Sequence, residues 1–171
     1  MELLTANTFY SHLVCSKHGE VYDKNQLQTF SKHRKPLLAK YHLTPQAKDS
    51  IIDAEENSMW RYRKVLPVEA EENIVSLGEG MTPLIPLNIL ANQYNVDLVL
   101  KDEAYNPTGS FKARGLSMAI SKAKELGVKA CVIPTAGNAG GAMSAYCAKA
   151  GLDAYVYMPQ KTPKTLSLIH I

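Results

Sequence analysis

Lys112 is the residue whose surroundings point most directly to chemistry. It lies in the segment NPTGSFKARG at residues 106–115, where turn-forming residues precede a predicted helix. A helical wheel places Lys112 near the centre of an apolar stripe. That stripe consists of Leu116, Ala119, Ile120, Ala123 and Leu126. A lone lysine ordinarily extends to water, but an amine held in a cleft is neutral more often and can act as the nucleophile of Schiff-base chemistry.

A second candidate site is the segment PTAGNAGG at residues 134–141. It follows a short apolar strand and precedes a helix, and ligands of open parallel sheets bind at that edge. The amides of a helix amino end suit a carboxylate or phosphate, and glycines allow close approach to the backbone. Asn138 adds an amide that donates or accepts hydrogen bonds. The alternative is a simple helix cap whose glycines serve tight packing.

Cys15, His18, Phe30 and His33 occupy the four knuckle positions of a pattern similar to a zinc ribbon. Zinc prefers four sulfur or imidazole ligands, and phenylalanine cannot supply one. We therefore expect a ribbon without metal, in which Cys15, His18 and His33 remain only weak candidate ligands.

The composition narrows the classes of protein. A chain of 171 residues with 46% hydrophobic residues can bury a core, and its net charge of +3 does not suggest a nucleic-acid partner. No apolar run approaches ~18 residues, and no signal peptide is visible at the start. Three widely spaced cysteines do not make a disulfide framework. We therefore expect a cytoplasmic protein with no membrane or nucleic-acid partner. Neither a P-loop nor a Rossmann glycine motif occurs, so the sequence does not indicate a nucleotide site of either kind.

Alternating strands and helices position the two candidate sites. Apolar runs predict strands at 96–100, 130–133 and 154–157. Helices are predicted at 111–126, with Ser110 as N-cap and Gly127 at the end, and at 138–150, ended by Gly151. This alternation predicts a parallel sheet. A further helix is expected within 45–64, beginning at Thr44 and Pro45.

Residues 106–115 resemble the lysine motif of pyridoxal-phosphate enzymes of the tryptophan-synthase-β-like fold, and residues 134–141 resemble the asparagine loop of that family. The spacing of 26 residues from Lys112 to Asn138 also matches. Several further stretches resemble the threonine synthases of this superfamily. They are SLGEGMTPL at 76–84, LKDE at 100–103, WRY at 60–62, and the ribbon leading to PLL at 36–38 and Tyr41. The resemblance covers about residues 13–165.

The resemblance implies a doubly wound parallel α/β sheet with helices on both faces, of fold type II, incomplete here. It implies an N-terminal ribbon-like extension at 1–43 and the first part of the catalytic fold at 44–165. Lys112 would hold pyridoxal 5'-phosphate covalently, Asn138 would contact the ring hydroxyl of the cofactor, and Thr135 and Gly137 would bind substrate oxygens. The reaction implied converts O-phosphohomoserine and water into threonine and phosphate, and a homodimer is a candidate assembly at full length. Ala113, where the family often has aspartate, is expected off the apolar stripe.

The family's phosphate cradle and its partner for the pyridine nitrogen are not found in this sequence, so we expect the chain alone neither to hold the cofactor tightly nor to turn over. Residues 166–171 (LSLIHI) match a translated transposon-adapter sequence, and we interpret them as sequencing read-through rather than as an ordinary apolar tail. The alternatives are a threonine or serine dehydratase or another elimination or replacement enzyme of the superfamily, a non-catalytic homologue and, more distantly, a zinc-ribbon nucleic-acid module.

Overall fold

The computed structural model describes residues 8–44 and 51–162 of the chain. The first part of the helix expected within 45–64 and the interpreted read-through at 166–171 lie outside the described residues.

The N-terminal ribbon is a three-stranded antiparallel sheet in the order β2-β1-β3. Its strands are β1 (Tyr10–Cys15), β2 (Val21–Tyr22) and β3 (Leu37–Tyr41). The ribbon is tied to the rest of the chain beside its first strand. The Phe9 amide donates to the Lys64 carbonyl at 2.7 Å, and Lys24 pairs with Glu69 at 2.6 Å.

The described part of the segment expected to be helical contains a 3-10 helix, Met59–Val65, in place of an α-helix. The Ser58 hydroxyl accepts the Trp60 amide at 3.1 Å and caps the start. Leu66, which precedes Pro67, has an extended backbone, as the proline ring requires of its neighbour. The turn buries Met59 and Trp60, so it serves as a core element.

The next unit differs from the parallel arrangement that the sequence predicts. It consists of β4 (Leu84–Pro86), α1 (Asn88–Tyr94) and β5 (Val99–Lys101). β5 pairs antiparallel with β4, Leu84 lying opposite Lys101, so the assignment of the 96–100 strand to the parallel sheet is wrong. β4 is difficult to predict from the sequence because it contains Pro86. Proline is rare in strands other than edge strands, so its presence argues against a strand.

The second half of the chain follows the predicted alternation closely. It contains α2 (Lys112–Glu125), β6 (Ala130–Pro134), α3 (Asn138–Ala150) and β7 (Asp153–Tyr157). β6 and β7 pair in parallel, Ala130 opposite Asp153, as predicted. Gly127 and Gly151 end the two helices with φ of 72° and 70°, a left-handed backbone that glycine adopts without strain.

The core lies between α2, α3 and the segment that contains Val75. Its buried members are Val75, Ala113, Ile120, Met143, Tyr146 and Cys147. The buried face of α2 is therefore rotated from the predicted stripe: Ala119 is exposed, and Ala113, expected off the stripe, is completely buried. Ser117 and Ser121 are buried as well, because neighbouring backbone and side chains satisfy their hydroxyls.

The two cysteines of this half are thiols that pack in or against the core. Cys147 is buried and Cys131 packs against the same cluster. Burial, and then the neighbouring Cys131 thiol, raise the pKa of Cys147 to about 12, which keeps the thiol protonated. No helix among the described residues has the length and apolar character needed to cross a membrane.

Candidate active site

Lys112 is the first residue of α2 and is half-buried. Its Nζ lies 4.4 Å from the centroid of the exposed Phe111 ring, within range of a cation–π contact. In the described part of the chain, the amine has no carboxylate within 4.0 Å and no hydrogen-bond partner. Because the buried face of α2 is centred on Ala113, Ser117 and Ile120, Lys112 lies on the flank of that face.

The backbone before Lys112 is bent by two consecutive left-handed residues. Thr108 has φ of 66° and Gly109 has φ of 69°. A β-branched residue rarely adopts this conformation, and such strain is typical of functional loops. The turn of which they are part, Pro107–Gly109, packs against α2 and α3.

Ser110 does not cap α2, contrary to the prediction. Its backbone is extended, and the capping position falls on Phe111, which offers no side-chain acceptor. The Ser110 hydroxyl is instead buried, with the residue 7% exposed, and has no partner among the described residues. A buried hydroxyl without a partner is unfavourable, so this atom is available to a bound group two residues from Lys112.

An ion pair between Arg114 and Glu103, a residue that precedes the lysine motif, holds the lysine loop in place. Arg114 holds Glu103 with two bonds, Nε to Oε2 at 2.7 Å and Nη2 to Oε1 at 2.8 Å. The same carboxylate accepts from Thr82 Oγ1 at 2.7 Å and from Asn106 Nδ2 at 2.8 Å. The bonds from Arg114 lower the pKa of Glu103 to about 2, against a smaller opposing effect of burial. Asn106, the first residue of the lysine motif, is thereby tied to Arg114, its ninth, through one carboxylate.

The asparagine loop lies at the amino end of α3. Asn138 is the first helical residue and is exposed, and Gly137 precedes it with no capping side chain. Thr135 Oγ1 accepts the Gly137 amide at 3.2 Å, so this amide is already engaged, whereas the Thr135 hydroxyl hydrogen has no acceptor among the described residues. The structure places these residues and Lys112 at the amino ends of two helices that pack side by side.

A buried carboxylate lies behind both helices. Glu79 has no exposed surface, and four donors converge on it. They are Trp60 Nε1, Ser117 Oγ, Tyr146 OH and the Leu77 amide. We call these residues, Trp60, Leu77, Glu79, Ser117 and Tyr146, the Glu79 network. Burial raises the pKa of Glu79, but the hydroxyls of Ser117 and Tyr146 and the nearby amides outweigh it, and the pKa is lowered overall.

The ribbon brings its two knuckles together without assembling a metal site. The rings of His18 and His33 lie 4.3 Å apart, but Cys15 donates to Ser31 Oγ at 3.3 Å. Phe30 is exposed. Across residues 8–44 and 51–162, no three His, Cys, Asp or Glu residues are arranged to hold a metal ion.

Sequence reasoning missed the roles of Glu79, Ser117 and Tyr146, and of Glu103 with Arg114. The resemblance included Glu79 and Trp60 only as members of motifs. One signal was present: Ser117 and Ser121 are four residues apart, so they share one helix face.

Comparison with known proteins shows which family this chain is similar to. The family model described as pyridoxal-phosphate dependent enzyme matches residues 75–169. A threonine synthase of Halalkalibacterium halodurans is 45% identical over 108 residues, which cover 60% of this chain and 30% of that protein. A threonine synthase of Methanocaldococcus jannaschii is 35% identical over 151 residues, 85% of this chain and 37% of the relative. A threonine synthase of Synechocystis is 48% identical over 100 residues, which cover 57% of this chain and 26% of that protein. The chain thus spans about a third of the length of the curated relatives it matches.

Proposed function

Because the chain belongs to the pyridoxal-phosphate dependent enzymes, we propose that it is the N-terminal part of a threonine synthase. The proposed reaction converts O-phosphohomoserine and water into threonine and phosphate. The observation that carries this proposal is the agreement among relatives: threonine synthases of three organisms match the chain at 35–48% identity.

The residues at the candidate site fit a pyridoxal phosphate group. Lys112 offers an amine without a competing carboxylate among the described residues, and the Ser110 hydroxyl is buried without a partner there. A Cβ added to Gly137 would meet open space, so a ligand has room beside this backbone. These features give the group a covalent anchor, a polar contact and access.

Each candidate residue then has a defined role. Lys112 would hold the cofactor through its amine and later carry protons at Nζ. Asn138 would donate a side-chain amide hydrogen to the ring hydroxyl of the cofactor, and Thr135 would donate its hydroxyl hydrogen to a substrate oxygen. The bound cofactor supplies an electron sink, while these residues supply orientation and electrostatics.

The remainder of the fold is part of the same proposal. The described β6–α3–β7 unit is one parallel crossover, and we place it in a doubly wound sheet that needs further strands. The ribbon at 1–43 would be an extension of the catalytic fold beginning at 44. The phosphate cradle and the partner of the pyridine nitrogen would come from sequence that the relatives have beyond their match. We further propose a cytoplasmic enzyme that forms a homodimer at full length.

The test begins with the source gene, sequenced from a library made without transposon adapters, and its complete product. This product should release phosphate from O-phosphohomoserine and form threonine in equal amount. Lys112→Ala should abolish both the activity and the visible absorbance of the bound cofactor, whereas Lys129→Ala, at an exposed lysine, should change neither. Formation of a 2-oxo acid from threonine or serine, with no phosphate release, would refute the proposal in favour of a dehydratase.

A further inference from the structure

The Glu79 carboxylate is unusual because it is fully buried and yet surrounded by neutral groups. In the described part of the chain, no Lys, Arg or His side chain lies within 4.0 Å of it. A buried charge is costly unless hydrogen bonds replace its water. Glu79 is thus a group whose presence in the core requires a reason.

The contacts of Glu79 suit the ionised form. Oε1 accepts from Ser117 Oγ at 2.5 Å and from Trp60 Nε1 at 3.0 Å. Oε2 accepts from Tyr146 OH at 2.5 Å and from the Leu77 amide at 2.9 Å. An ionised carboxylate only accepts, and hydroxyl bonds of this length are typical of charge-assisted pairs. Both oxygens are therefore filled by donors with no cation among them.

The four donors come from four different parts of the fold. Ser117 lies on α2, five residues after Lys112, and Tyr146 lies on α3, eight residues after Asn138. Trp60 belongs to the 3-10 helix, and Leu77 to the loop that carries Glu79 itself. One side chain thus links the two helices whose amino ends form the candidate active site.

The backbone beside Glu79 is held equally firmly. The Glu79 carbonyl accepts the Met59 amide at 2.7 Å, and the Gly80 amide donates to Asn106 Oδ1 at 3.0 Å. Asn106 opens the lysine motif, so Glu79 is connected to Lys112 both through α2 and through the lysine loop. These directional bonds restrain rotation and sliding of each helix in addition to the apolar packing around them.

We infer that Glu79 is a positioning residue that aligns Lys112 on α2 with Asn138 on α3 through Ser117 and Tyr146. The inference deepens the proposed function and rests on it for the roles of Lys112 and Asn138. Glu79 itself touches neither the cofactor nor the substrate in this scheme. Its effect is transmitted along two rigid helices from a buried carboxylate behind the site.

The experiment compares three variants of the complete gene product with the unchanged protein. Glu79→Gln keeps the shape of the side chain and removes the charge. Tyr146→Phe removes only the bond from α3 and leaves the bond to α2. Ser121→Ala is the matched control: it removes a buried hydroxyl of α2 that accepts the Val75 amide at 2.8 Å but does not contact Glu79. Cofactor affinity and the visible circular dichroism of the bound cofactor are measured, together with thermal stability.

We expect Glu79→Gln to weaken cofactor affinity about tenfold and to change the visible circular dichroism, and Tyr146→Phe to act in the same direction more weakly. Ser121→Ala should lose thermal stability while its visible dichroism stays unchanged. Fluorescence of the 171-residue chain is a second readout of the Glu79 network, since Trp60 is its only tryptophan: Glu79→Gln should shift the emission and Ser121→Ala should not.

Each alternative result has one meaning. Unchanged affinity and dichroism in both Glu79→Gln and Tyr146→Phe would overturn the inference and leave the proposed function intact. The inference would also be overturned if Ser121→Ala altered the dichroism as much as Glu79→Gln, since the effect would then reflect stability alone. Should Glu79→Gln fail to fold, Tyr146→Phe decides by the same criteria. If the unchanged protein binds no cofactor, the proposed function fails, and this inference fails with it.

Discussion

Replacing Arg114 with methionine should make the chain less stable in a way that depends on pH. The substitution removes the bidentate contact with Glu103 but keeps an apolar stem of similar length. Thr82 and Asn106 still donate to the Glu103 carboxylate in the variant. The stability lost in this variant therefore measures the contribution of the Arg114–Glu103 pair separately from the remaining hydrogen bonds to Glu103.

The pKa of Glu103 gives the size and the sign of the effect. A change in the Glu103 pKa from the ordinary value of 4.5 to about 2 corresponds to about 3 kcal/mol of stability if the whole pKa shift disappears in the variant. The Glu103 side chain is 27% exposed and keeps two donors, so we expect a loss of about 1–2 kcal/mol in the free energy of unfolding at pH 7. Because the folded pKa is depressed, the contribution is present above pH 4.5 and disappears as the pH falls toward 2.

Urea unfolding, followed through the buried Trp60, measures this difference at pH 7, 4 and 3. The gap between the unchanged chain and Arg114→Met should narrow as the pH falls, and the titration of other groups cancels in the difference. Lys129→Met, which removes a positive charge from an exposed side chain, is the control and should change little at any pH. A gap of the same size at all three pH values would refute the assignment of the stability to the ionised pair.

Further predictions concern backbone, thiols and metal. Gly80→Ala should cost at least about 2 kcal/mol in urea unfolding, because φ is 114° and the new Cβ would lie 2.6 Å from the Met59 amide nitrogen. Gly127→Ala, with φ of 72° and open space, should cost only about 1 kcal/mol, and equal losses would contradict the close-approach argument. In native protein at pH 8, iodoacetamide should modify Cys131 faster than Cys147, because Cys147 is buried and protonated. Mass spectrometry of the digested protein measures the two rates, and faster modification of Cys147 would contradict this prediction. Equilibrium dialysis against zinc should leave the ribbon without stoichiometric metal, and one tightly bound ion per chain would show that its ligand set had been misjudged.

The helices and strands of the second half could be predicted from the sequence because their signals are local. Apolar runs and the glycines at 127 and 151 define α2, β6, α3 and β7 to within a residue or two. The β4–β5 pairing and the 3-10 helix could not be predicted in this way, since such short elements carry little periodicity and Pro86 argues against a strand at β4. Lys112 and Asn138 were found from motifs, whose spacing is itself a property of the sequence.

The buried face of α2 was decided by tertiary structure alone. A helical wheel counts apolar residues, and it therefore chose the face with Leu116 and Ala119. In the fold, Ser117 turns inward because its hydroxyl donates to Glu79, and Ser121 turns inward because its hydroxyl accepts the Val75 amide. Whether a polar group is buried depends on the partners that distant segments bring to it, and no local pattern encodes those partners. The sequence by itself therefore determined which residues are candidates for chemistry, whereas only the packing of the Val75–Gly80 region against two helices decided what surrounds those candidates in the fold.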